Sequence, residues 1–227
     1  MKEKRDPHIM KTGKRTRRLE WVVLIGALCL ANFPMFKGEL ASEWIFMPGR
    51  VLEGEWWRVL THAFVHVSPY HLLLDASAFF ILYYGLTEKS LFKRTSYLVG
   101  GAMGSLIAAV CAAPAVATIG LCGLSGVAHG LMAVSAIEYV SATQGQKNKR
   151  PAIIGGLFLL LVVGKSVIEA ITGNVVFSSM HLGNIGIPIA VCHAGGALGA
   201  LLIYVATNSR NQNHINVAAT GQPCVAA

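Results

Sequence analysis

Six apolar runs, Trp21–Phe36, His71–Leu86, Ser96–Ala117, Ile119–Val140, Ala152–Ile171 and Ile187–Ala206, constrain this chain more than any other feature. Most of them approach the roughly 20 residues that a helix needs to cross a hydrocarbon core about 30 Å thick. Backbone in that core has to satisfy its N–H and C=O groups internally, so runs of this length predict helices. With 54% apolar and 13% charged residues and a mean hydropathy of +0.54, the composition is far from that of an average soluble domain. The expectation is an all-α membrane protein of six spans, with the lipid bilayer as its first partner. The first two runs are short and carry polar residues, and Pro34 is expected to end the first. The basic stretch before Trp21 is long and no small-residue cleavage pattern follows the first run, so no cleaved signal peptide is expected.

Orientation follows from lysine and arginine, which are retained on the cytoplasmic side of a span. Eight of them lie before Trp21, from Lys2 to Arg18; Lys89, Lys93 and Arg94 follow the second run, and Lys147, Lys149 and Arg150 follow the fourth. The connections after runs three and five have none, and Lys37, Arg50 and Arg58 after run one are diluted by Glu39, Glu43, Glu53 and Glu55. Both termini are therefore expected to be cytoplasmic. The chain divides into a basic tail at 1–20, a six-span unit at 21–207 and a tail at 208–227 whose polar composition predicts disorder. A net charge of +8 is accounted for by this topology and by attraction to anionic lipid, and no nucleic-acid partner is expected. Five scattered cysteines show no metal or redox spacing and are read as packing thiols, although Cys122 and Cys192 both lie beside the polar residues discussed next.

On this topology runs two, four and six travel in the same direction, from outside inward. Ser125 falls six residues after Ile119 and His193 six residues after Ile187, so both are expected about 9 Å below the outer boundary. His71 and Asp75 are four apart at the start of run two and share a face. Polar groups at that depth are costly unless they face the protein interior, which makes the layer a candidate site. Gly123, Gly126 and Gly130 surround Ser125, and Gly195, Gly196 and Gly199 follow His193; small residues let helix backbones approach closely. A neutral imidazole within reach of a serine hydroxyl activates it as a nucleophile, so Ser125 and His193 are read as a catalytic dyad. No Asp or Glu lies near either in sequence, so packing is expected to hold the geometry. His129 is placed either to support the ring of His193 or to bond a backbone carbonyl as an interior polar group.

The segments "GLSG" at 123–126, "CHAGGALGA" at 192–200 and "GEWWRVLTHAFVHVSPYHLLLDASAFFILYYG" at 54–85 together resemble the rhomboid intramembrane serine proteases, with a serine on the fourth span and a histidine on the sixth. The resemblance spans about residues 20 to 207 and implies a six-transmembrane-helix rhomboid-like bundle in a bacterial inner membrane. It further implies a serine endopeptidase that cuts transmembrane protein substrates without cofactor or metal. It assigns Ser125 as nucleophile, His193 as base, and His71 with Asp75 and the serine N–H as the oxyanion site, supported by Gly123 and His129. Where the family usually has asparagine, this chain has Asp75; an ionised carboxylate cannot donate to an oxyanion. Asp75 is thus protonated, displaced from the site, or a sign of weakened activity, and protonation is the expectation. "GLSGVAHG" and "GKSVIEAITG" at 164–173 are similar to the rhombosortases, which implies substrates with a carboxyl-terminal glycine-rich motif, one span and a basic end. Lys165 and Glu169, four apart inside run five, are expected to pair and to play a structural part.

Three rival readings remain at this level. A metal-dependent hydrolase would use His62, His66, His71 and Asp75, but their spacing fits no zinc pattern and leaves Ser125 and His193 without a role. A catalytically inactive rhomboid-like protein that binds membrane helices would account for Asp75. A transporter would call for paired broken helices or inverted repeats, which the sequence does not show.

Overall fold

The computed structural model describes residues 7–141, 148–176, 180 and 182–220, with side chains described from Arg17 to Ser209 within these. Lys147, residues 1–6 of the basic tail and residues 221–227 lie outside the described residues. Six long helices are present among them: α1 (Pro7–Ala31), α2 (Pro69–Gly85), α3 (Leu91–Ala112), α4 (Ser125–Ser141), α5 (Arg150–Thr172) and α6 (Val191–Thr220). Three helical stretches, Leu91–Ala112, Arg150–Thr172 and Val191–Ser209, are long and apolar enough to cross a membrane, and α2 joined to the short helices at Arg58–Phe64 makes a fourth, bent by 90°. At 17 residues each, α2 and α4 fall short of the full crossing length. With at least three helices of crossing length among the described residues, the chain is a multi-pass membrane protein.

Local chemistry sets the helix limits. Pro69 occupies the first turn of α2, and the Ser68 hydroxyl caps it by accepting from the His71 N–H at 3.0 Å. The α1 helix stops at Ala31, and Pro34 lies in the short helix Phe33–Lys37 that follows. Gly173, at φ 69°, ends α5 by donating its N–H to the Glu169 carbonyl at 2.9 Å. The last helix continues to Thr220, past Asn208 where composition predicts disorder; its backbone hydrogen-bonding runs on without a Pro or Gly to interrupt it.

Two expected helix starts are corrected. The fourth helix begins at Ser125 and not at Ile119, because Gly120 (φ 74°) and Gly123 (φ 103°) hold the preceding backbone out of helical conformation. Leu121 in that stretch pairs with Phe46, each N–H donating to the other's carbonyl at 2.9–3.0 Å. Likewise the sixth helix begins at Val191, after the irregular stretch that contains Pro188. Ser125 and His193 therefore lie at the first turns of their helices and not six residues inside them.

Packing is organised around α6, which contacts α3, α4 and α5. The approach of α4 to α6 is backbone to backbone: a Cβ on Gly196 would fall onto the Gly126 carbonyl, and one on Gly126 onto the Ser105 side chain of α3. Leu28 of α1, Phe79 and Tyr83 of α2, Tyr97 of α3 and Leu131 of α4 form the main apolar core. The α5 helix instead leaves Leu157, Leu160, Leu161 and Ile171 exposed, an apolar face suited to lipid.

Candidate active site

The site begins with a loop held from behind. Arg58 is buried and donates to the carbonyls of Ser42 and Ile45 at 2.6 and 2.8 Å while its Nε donates to Glu55 at 2.5 Å. Its neighbour Trp57 donates from Nε1 to the Glu43 carbonyl at 3.1 Å. These bonds fix the segment that pairs with Leu121, and the His62 carbonyl accepts from the Gly123 N–H at 3.0 Å. Asn32, at the end of α1, bridges the Phe64 carbonyl (2.7 Å) and the His66 N–H (2.9 Å). The extended backbone leading into Ser125 is thus braced by residues distant in sequence.

A cavity of about 760 Å³ opens in front of this backbone, lined by Ser125, His129, His193, His71, Asp75 and Lys165 among others. The Ser125 hydroxyl lies 4.0 Å from Cys192 Sγ and, among the described residues, makes no hydrogen bond to His193. Serine and imidazole share the cavity at the starts of α4 and α6 without the direct bond that a primed dyad has, and bonds of this kind often tighten only on substrate binding. The first N–H groups of α4 have no carbonyl ahead of them in the helix, so they and the helix dipole favour negative charge beside Ser125.

The far wall is formed by α2. Asp75 Oδ2 sits 3.3 Å from His71 Nε2 and 3.5 Å from His66 Nε2, close enough for charge pairing though without hydrogen-bond alignment. The Val67 N–H donates to His71 Nδ1 at 3.5 Å, which leaves Nε2 as the protonated nitrogen of a neutral ring, turned toward Asp75. A carboxylate facing two imidazoles is better placed to accept than to donate, against the expectation that Asp75 is protonated. A Cβ on Gly123 would lie 2.9 Å from Asp75 Oδ2 and 3.0 Å from His71 Nε2, so both side chains abut the backbone just before Ser125. His62, grouped with them in the metal reading, is turned away: its Nδ1 faces the Val59 carbonyl at 3.0 Å and its ring packs on Phe46.

His193 has a partner that the sequence reading missed. Its Nδ1 is 2.7 Å from Oε2 of Glu169, and both residues are buried. Glu169 Oε1 accepts from Lys165 Nζ at 2.6 Å and from the Val176 N–H at 2.8 Å. Lys165 Nζ also lies 2.9 Å from His129 Nε2, and His129 Nδ1 is 2.7 Å from the Ser125 carbonyl. The rings of His129 and His193 stack with centroids 4.0 Å apart and planes within 9°. His129 thus stacks on the His193 ring and at the same time bonds a backbone carbonyl. The available signal for Glu169 was an ionisable pair inside an apolar run; what the sequence lacked was the contact to His193, 24 residues away.

Ligand atoms of His129, Glu169 and His193 lie within 4.8 Å of one another, a spacing that a metal ion could bridge. The Lys165 ammonium already bonds two of the three, so a cation entering there would have to displace it. Cys122 and Cys192 are free thiols, as are Cys29 and Cys111.

No curated protein and no solved structure matches the chain in sequence or fold comparison. A family model does: the rhomboid domain aligns with residues 53–210, which takes in Arg58, the cavity wall of α2, Ser125, Glu169 and His193. Rhomboids are in general intramembrane serine proteases acting on transmembrane substrates, and by a match over most of its length this chain belongs to the rhomboid family.

Proposed function

We propose that the chain is an intramembrane serine endopeptidase with Ser125 as nucleophile and His193 as general base. The observation that carries this reading is the shared cavity, into which the first turn of α4 brings a serine and the first turn of α6 an imidazole. In the reaction, Ser125 Oγ attacks the scissile carbonyl as its proton passes to His193 Nε2; the proton then goes to the departing amine, and water repeats the sequence on the acyl-enzyme. Charge developing on the carbonyl oxygen meets the free N–H groups at the start of α4, with His71 and Asp75 at the edge of the same space.

In this reading all six helices cross a bacterial inner membrane, both termini are cytoplasmic, and the cut falls near the outer end of a substrate helix. The resemblance of 123–130 and 164–173 to the rhombosortases points to substrates with a carboxyl-terminal glycine-rich motif before one span and a basic end; glycine lets such a segment unwind into the extended form a serine protease needs. A second reading, a helix-binding rhomboid without activity, is favoured by the carboxylate at position 75 and the missing Ser125–His193 bond. The two separate on a reporter carrying a Gly-Gly tail, one span and a basic end, expressed with the wild type or with Ser125→Ala. The protease reading expects a released product whose new carboxyl terminus, read by mass spectrometry, lies near the outer end of the span and which is lost with Ser125→Ala. Equal release from both enzymes contradicts it. Little release from a Leu-Leu tail supports the glycine preference, and equal release removes it.

A further inference from the structure

We propose that Glu169 is the positioning residue of the base, turning a two-residue catalytic pair into a Ser125–His193–Glu169 relay that Lys165 and His129 hold in register. This rests on the reading of Ser125 and His193 as nucleophile and base. The Ser125–His193 pair read from the sequence has no acid beside it; the geometry of this chain supplies one.

The protonation of the whole cluster follows from donor and acceptor counting. A lysine ammonium only donates, so His129 Nε2, 2.9 Å from Lys165 Nζ, is the acceptor nitrogen of its ring. The proton of His129 is then on Nδ1, where it is donated to the Ser125 carbonyl at 2.7 Å. Lys165 donates a second N–H to Glu169 Oε1 at 2.6 Å, and the Val176 N–H is the second donor to the same oxygen at 2.8 Å. With that oxygen accepting twice, Glu169 is a carboxylate, and its Oε2 accepts from His193 Nδ1–H at 2.7 Å. His193 Nε2 is left with a lone pair, which is the state required to take the proton of Ser125. His129 stacks on the imidazole face, fixing the ring plane that Glu169 fixes at its edge.

The consequences are electrostatic as well as geometric. When Ser125 transfers its proton, His193 becomes an imidazolium beside Glu169, so the carboxylate stabilises a charge that exists only along the reaction path. The groups facing that charge are Glu169 and Lys165 from α5, His129 from α4, and His71 and Asp75 across the cavity on α2. Glu169 never touches the substrate in this scheme and acts through His193 alone.

The test joins kinetics to the tautomer itself, on the full chain in lipid nanodiscs. In ¹⁵N NMR of histidine-labelled wild type, His193 and His129 should both carry the proton on Nδ1. Glu169→Gln offers an amide N–H to Nδ1, moves the His193 proton to Nε2, and should lower kcat roughly 10²–10⁴-fold with KM unchanged, as expected when a base is held in the wrong tautomer. Glu169→Asp, which keeps the carboxylate, should recover at least tenfold of that loss. Glu169→Gln cleaving at the wild-type rate, or wild-type His193 protonated on Nε2, overturns the inference while leaving the protease reading intact. Should Glu169→Gln fail to accumulate, the wild-type tautomer and the Glu169→Asp rate decide the matter. Cleavage that survives Ser125→Ala would instead overturn the protease reading, and the tautomer measurement would still report on Glu169.

Discussion

Two buried carboxylates, Glu20 and Glu169, are each paired with a cation, and they are built for different ends. Glu20 accepts from Arg94 Nη2 with both oxygens, at 2.5 and 2.6 Å, and from the Tyr83 hydroxyl at 2.7 Å. Arg94 carries on to the Glu88 and Lys89 carbonyls from its Nη1 at 3.0 and 3.4 Å, and no imidazole takes part. None of these partners readily gives or takes a proton near neutral pH, so the cluster ties α1, α2 and α3 together. Glu169 is bonded to His193, which lines a 760 Å³ cavity together with Ser125. The difference lies in the third partner: a phenol or guanidinium closes a network, whereas an imidazole leaves one lone pair for chemistry.

The largest expected contrast comes from cutting the open network at its reacting atoms. Ser125→Ala and His193→Ala should each remove cleavage to background, a loss of about 10⁴-fold or more, while the melting temperature stays within a few degrees of wild type. The double variant should be no worse than either alone, because the two groups act as one unit; additive losses would break the comparison. Next, Arg94→Met should cost about 3–5 kcal/mol of stability by leaving Glu20 buried and unpaired. Thermal or denaturant unfolding reads this, and activity per folded molecule should not change.

Asp75 sharpens the open region. Asp75→Asn supplies an N–H beside Gly123 and should preserve or raise kcat, whereas Asp75→Leu removes the acceptor that faces His71 and His66, loosens the His71 ring at the edge of the oxyanion space and should lower kcat about 10²-fold. Equal rates for wild type, Asn and Leu would place the residue outside the reaction. Smaller still, Gly126→Val drives a side chain into Ser105 and should destabilise by about 1–3 kcal/mol. The smallest effect belongs to Glu88, whose Oε1 accepts from the Lys89 and Ser90 N–H groups at 2.8 and 2.7 Å. Partial burial raises its pKa, but these bonds and the charge of Lys93 outweigh that and hold it below the ordinary carboxylate value. Its contribution is present above the unfolded-state pKa and disappears as pH falls through the lowered one, so Glu88→Gln should flatten a shallow acid-side loss of stability worth less than about 1 kcal/mol.

Much of the helix order is legible in the sequence because apolar runs and prolines act locally: Pro34 follows the end of α1, and Ser68-Pro69 opens α2. The start of α4 is not, because an apolar run cannot distinguish helix from the non-helical stretch 120–124, whose conformation depends on two positive-φ glycines and on pairing with Phe46. The candidate site is legible in part for the same reason. Ser125, His129 and His193 announce themselves by glycine-flanked motifs, while Glu169 reads as half of an i,i+4 pair with Lys165. Only the packing of α5 against α4 and α6 turns that pair toward His193.

The central claim is that Ser125 is an activated nucleophile, and a serine-reactive fluorophosphonate tests it in native membranes without any knowledge of the substrate. The account predicts that peptide mass spectrometry finds the probe on Ser125 in the wild type, strongly reduced labelling in His193→Ala, and undiminished labelling per folded molecule in Arg94→Met. A wild-type protein that cleaves its reporter yet leaves Ser125 unmodified, or equal labelling of wild type and His193→Ala, would contradict it.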